Sequence, residues 1–94
     1  MSVATAIVKI ATPARYMVRL SKHFEHRVTV ERDEHSAKVT FPDGVCTMNT
    51  TDTTLDLRIE APAKSLDRYE EVVTRHLKQV ASQETFEVQW SRAD

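Results

Sequence analysis

Apolar and polar residues alternate from the start of the chain: Ala4, Ala6, Val8 and Ile10 fall on one side, Thr5, Ile7 and Lys9 on the other. This period of two predicts a half-buried strand. Thr12 then offers a side-chain oxygen to cap a helix, and Pro13 occupies the first helical position, where a missing N–H costs nothing. The spacing changes to four, three and four at Pro13, Met17, Leu20 and Phe24, one apolar stripe with Arg15, Arg19 and Lys22 pointing elsewhere. Four short alternating segments follow, carried by Val28 and Val30, by Ala37, Val39 and Phe41, by Cys46 and Met48, and by Leu55, Leu57, Ile59 and Ala61. Turn-forming residues separate them at 33–36, 42–44 and 50–53, so they read as a four-strand meander.

A second helix is predicted from Ser65 as its cap, with Asp67 in the first turn. Its wide apolar face comprises Leu66, Tyr69, Val73, Leu77 and Val80, and Arg68, Glu71, Arg75 and Lys78 fall opposite. A last strand is predicted where Phe86, Val88 and Trp90 alternate with Glu87, Gln89 and Ser91. The order is β-α-β-β-β-β-α-β over a single domain, 1–94. Because each strand has one apolar and one polar face, both helices should cover the same side of a mostly antiparallel sheet. The expected fold class is therefore α+β, a two-layer sandwich.

Composition narrows the functional classes. Ninety-four residues, 40% hydrophobic and 29% charged, support one modest core and are unlike a disordered chain. Thirteen basic residues against fourteen acidic ones give no broad positive field for nucleic acid or anionic lipid. An RNA-binding sheet would need aromatics on its open face, whereas Phe41, Phe86 and Trp90 fall on the inward side. The start lacks the pattern of a signal peptide, no run is long and apolar enough to span a membrane, and Cys46 is the lone cysteine, so a cytoplasmic protein is expected. Gly44, the sole glycine, marks a turn that needs a positive φ or a close backbone approach.

Four residues carry the metal-binding chemistry of the chain: His23, His26, Cys46 and His76. At about 100° per residue, His23 falls at the border of the first helix's apolar stripe and His76 between Tyr69, Val72 and Val80 on the second. Cys46 shares the inward strand face with Met48, so the three point toward the helix-sheet seam. A transition metal or haem iron is one ligand that such a set would take. The spacing matches no strong zinc signature, and a histidine on an apolar helix face more often serves as a hydrogen-bonded core residue. Cys46 could alternatively act as a nucleophile beside a histidine, or simply pack as a small hydrophobe. Ile7 and Val45, on the otherwise polar outer face, leave room for a homodimer contact.

The stretches Lys22–Arg27, Phe41–Cys46, His76-Leu77 and Phe86–Trp90 resemble a family of small bacterial proteins known as domain of unknown function 2218. The resemblance spans nearly the whole chain, with departures at Arg27 and at Lys78-Gln79-Val80. Members of that family also occur as N-terminal extensions of some siderophore-interacting flavin reductases. The resemblance therefore implies a non-enzymatic accessory or binding module of iron or siderophore metabolism, partnered by a siderophore-related protein or a small ligand. It supplies no catalytic residues.

Overall fold

The computed structural model describes residues 1–93. Its elements follow the predicted order: β1 (Ser2–Lys9), α1 (Pro13–Phe24), β2 (Thr29–Arg32), β3 (Ser36–Phe41), β4 (Gly44–Thr50), β5 (Thr54–Ala61), α2 (Ala63–Val80) and β6 (Ser91–Ala93). The sheet runs β2-β3-β4-β5-β1-β6, with every neighbouring pair antiparallel. β2 to β5 form the meander. β1, first in the chain, lies beyond β5, in register from Ser2↔Ala61 to Lys9↔Thr54.

Pleating sends Ala4, Ala6 and Val8 of β1, Val39 of β3, Cys46 and Met48 of β4 and Leu55, Leu57 and Ile59 of β5 to one buried face. Both helices lie against that face through Met17, Leu20 and Phe24 of α1 and Leu66, Tyr69, Val73 and Leu77 of α2. Thr5, Lys9, Lys38, Thr40 and Arg58 are exposed on the other face, as is Ile7. This is the two-layer α+β sandwich that single-sided alternation requires. No helix among the described residues is long and apolar enough to cross a membrane.

Three local expectations are corrected. Thr12 makes no side-chain cap: it takes a left-handed conformation, φ 47°, and its backbone oxygen accepts from the amides of Arg15 and Tyr16. Pro13 explains part of this, since a residue before proline is driven out of the right-handed helical region. Ser65 does not cap α2, which begins two residues earlier at Ala63 behind Pro62; its hydroxyl instead donates to Asp43 Oδ2 at 2.6 Å. Consequently Asp67 falls just outside the first turn.

The third correction concerns the last strand. Residues 85–90 form no ladder, and β6 covers only Ser91–Ala93, paired with Thr5, Ala4 and Val3. Phe86, Val88 and Trp90 still pack on the core. Alternating burial requires only an extended chain against an apolar surface, so it appears here without ladder hydrogen bonds. Trp90 is the anchor, its indole N–H donating to Thr74 Oγ1 at 2.9 Å.

Gly44 is explained by proximity, not by φ. No glycine has a positive φ, and a Cβ built there would lie 2.9 Å from Ala61 Cβ, 2.9 Å from the Glu60 backbone oxygen and 3.1 Å from the Tyr69 ring. The Pro42-Asp43-Gly44 turn is thereby pressed against the base of α2. Asp43 completes the join by accepting from the Tyr69 hydroxyl as well as from Ser65, and those two hydrogen bonds hold its carboxyl below the usual range.

Candidate functional site

Where the last turn of α1 meets the middle of α2 above the end of β3, the two layers leave an open cleft of about 490 Å³. That volume is within the range of small-molecule sites. Its floor is apolar, made by Phe24, Val28, Phe41, Pro42, Tyr69 and Val72. The rings are ordered. Phe41 and Tyr69 stack with centroids 4.5 Å apart and planes 15° from parallel, Phe24 meets Phe41 edge-on at 5.6 Å, and His76 tilts onto Phe24 at 5.1 Å.

Five nitrogen-bearing side chains complete the wall: Arg27, Arg68, Arg75, His23 and His76. No carboxylate is among the lining residues. Among the described residues none of the three arginines forms a salt bridge, although Arg32, Arg58 and Arg92 all do. Arg68 lies over the Tyr69 ring, 5.3 Å from its centroid. It is also near enough to Asp43 to help lower that carboxyl's pKa, but the Asp43 oxygens are occupied by Ser65 and Tyr69. The cleft is therefore a cationic rim over an aromatic floor.

The two histidines on the helix faces come together, with ring centroids 4.6 Å apart. His76 Nδ1 lies 2.6 Å from the Val72 carbonyl oxygen. A carbonyl can only accept, so Nδ1 carries the proton in that bond and Nε2 is the ring nitrogen left for a ligand. His23 is more exposed than its border position predicts. Its pKa is lowered, first by loss of hydration and then by the nearby positive charge of His76, His26 and Arg27.

The other two candidate ligands do not join them. Cys46 is fully buried in the sheet layer between Val39 and Ile59, and burial pushes its thiol up to about 12. A thiol held protonated and shielded from solvent is neither a metal ligand nor an accessible nucleophile. His26 is exposed, beyond the end of α1, and does not line the cleft. Among the described residues no three of His, Cys, Asp and Glu are grouped to hold a metal ion, so the set of four reduces to the pair His23 and His76. His35 is exposed, as its turn position predicts.

Sequence reading missed the arginines. Spacing puts Arg68 and Arg75 on the face of α2 opposite the core, yet both line the cleft, directly before Tyr69 of its floor and His76 of its wall. The signal is the seven-residue recurrence of an Arg-aromatic step, 68-69 and 75-76, which puts both guanidiniums along one edge of the apolar face.

The fold has a relative of known structure. PA4090 from Pseudomonas aeruginosa, solved by NMR, superposes with a TM-score of 0.81 over 97% of this chain and 96% of that one, at 29% identity. A de novo designed protein, Foldit4, aligns over 97% of each chain with a TM-score of 0.48 at 13% identity. No curated protein matches the chain. The model of a bacterial family described as uncharacterized protein conserved in bacteria, DUF2218, matches residues 5–91, and the chain belongs to that family.

Proposed function

We propose that this protein is a non-enzymatic binding module that holds an anionic small ligand in the cleft between α1 and α2, and that it serves bacterial iron or siderophore handling. The observation that carries the first part is the cleft wall: three arginines outside any ion pair among the described residues, two histidines and no carboxylate among the lining residues, over an apolar floor. Asp43 offsets Arg68 only from outside the cleft, so the cationic side chains gathered in the wall repel one another, and an anion removes that cost. The iron-related part is supported by the resemblance to extensions of siderophore-interacting reductases, and ferric catecholate complexes are themselves polyanionic. Either the complex itself or an acidic siderophore-related protein that presents it would suit the rim.

NMR titration of the untagged protein with a ferric catecholate siderophore tests the reading. Perturbed resonances at Tyr69, Val72 and His76 are expected, with weaker binding in Arg75→Gln. A protein whose cleft resonances do not move in saturating complex has no such role.

The 4.6 Å approach of His23 and His76 favours a second reading, ligation of a transition metal or haem iron by their free ring nitrogens. Elemental analysis of the untagged protein and a haem titration of wild type beside His76→Ala separate it from the first. Stoichiometric metal, or a Soret change lost in the variant, would support ligation; substoichiometric metal with unaltered haem spectra removes it.

A further inference from the structure

We infer that the cleft is built for an aromatic anion: a flat ring laid against the aromatic floor, with a planar carboxylate turned outward to the arginines. This rests on the cleft being a ligand site and goes further by fixing the class of ligand. Phe24, Phe41, Tyr69 and His76 form a continuous series of ring contacts drawn from three separate elements, with successive centroids 4.5 to 5.6 Å apart. A planar ligand extends such a series by offset or edge contact at the spacing the protein already uses. Phe24, Phe41 and Tyr69 reach the cleft only by their edges, and the half-exposed His76 ring offers the open contact, so the match is to a ring edge and the His76 ring.

The rim selects the charged end. Arginine presents a planar fork of donors that matches the two oxygens of a carboxylate, which a lysine rim would not do. Arg68 rests over the Tyr69 ring, so part of the entropy cost of fixing it is already met. A doubly charged phosphate is disfavoured relative to a carboxylate, because the helix end at the cleft is the C-terminus of α1, the negative pole of its dipole, whose repulsion grows with the charge of the ligand. The Phe24 carbonyl there is satisfied by the amides of Arg27 and Val28, leaving no row of free backbone donors to cradle phosphate oxygens.

Four probes decide the matter by amide-shift titration of the whole protein: 2-naphthoate, acetate, naphthyl phosphate and the neutral 2-naphthalenemethanol. Naphthoate should shift Tyr69, Val72 and His76 and bind at least about tenfold more tightly than either acetate or the neutral alcohol, since each lacks one half of the match. Arg68→Gln and Arg75→Gln should each weaken naphthoate by about tenfold, the loss expected for one charged hydrogen-bonding partner. Lys38→Gln, on the outer sheet face, should change nothing, and circular dichroism checks that each variant is folded. Equal binding of naphthoate and acetate would overturn the aromatic part, and equal binding of the neutral alcohol would overturn the anionic part. Tighter naphthyl phosphate would overturn the choice of carboxylate. Binding of the ferric catecholate without any of the simple aromatics would overturn this inference and leave the binding-module reading standing.

Discussion

Beside Ala61, Gly44 occupies a space that a single methyl group would overfill, because two of the three nearest atoms belong to a backbone oxygen and a short side chain that cannot swing away. Gly44→Ala is expected to cost about 1–3 kcal/mol, the range for overpacking, read as a lower urea midpoint with an unchanged slope. His23 offers a test by pH. Its folded pKa lies below the ordinary 6.5, so the unfolded chain binds the proton more readily. Its contribution to stability is therefore complete above about pH 6.5 and is lost as pH falls through the lower folded value. Melting temperatures of wild type and His23→Gln should converge as pH falls through that window. An anion in the cleft counters the like charges around His23, so ligand binding should take up a proton and strengthen toward acid pH. At this scale the sequence is legible where spacing alone decides, as for His76, which lies half-buried between the helices. It is illegible where a side chain serves a distant element: nothing near Ser65 announces that its hydroxyl is used by Asp43, twenty-two residues earlier.

Among the elements, β6 shows how a three-residue strand is kept in place. Arg92 reaches from it to Asp67 and Glu70 of α2, and Trp90 hydrogen-bonds to Thr74 of the same helix. These contacts clamp the end of the chain to the helix layer as well as to β1. Arg92→Ala should accelerate amide exchange across Ser91–Ala93 while the β1–β5 ladder stays protected, and uniform acceleration through the sheet would contradict it. The same region shows why the strand was misplaced in sequence. Burial periodicity reports which side chains face the core, and it does so correctly for Phe86, Val88 and Trp90. Which backbone groups find ladder partners is a separate matter, settled by where β1 offers a free edge. The helices were easier to read, because their apolar stripes both define the period and do the packing.

For the molecule as a whole, one-sided alternation was enough to fix the layers, since β1, β3, β4 and β5 each spend one face on the core. The sheet order was not legible, as no local feature of β1 says that its neighbour is β5. The cleft was legible only as a helix-sheet seam toward which His23 and His76 point: its shape arises where the last turn of α1 meets the middle of α2 above a strand end, which is not a sequence pattern. Cys46 at the centre of the core offers a global probe. With 0% exposure and a thiol pushed up to about 12, it should resist alkylation by iodoacetamide in the native state. It should become labelled only at the rate or population of unfolding, so that Cys46 reactivity and circular dichroism report the same midpoint in urea. Early labelling in native buffer would show that the core opens locally.

The place of β1 between β5 and β6 also constrains the time order of assembly. The hairpins from β2 to β5 close over a few residues each, whereas Ser2 must find Ala61 across most of the chain. Loop closure makes such distant pairing slow, and the meander can form while β1 is still searching. On a ribosome, β1 is made before β5 and must wait for β5 to emerge before it can pair, and β6 cannot add to the sheet until β1 has joined. The apolar side of β1 remains open to solvent throughout that interval, which makes β1 the segment at risk of aggregation during synthesis.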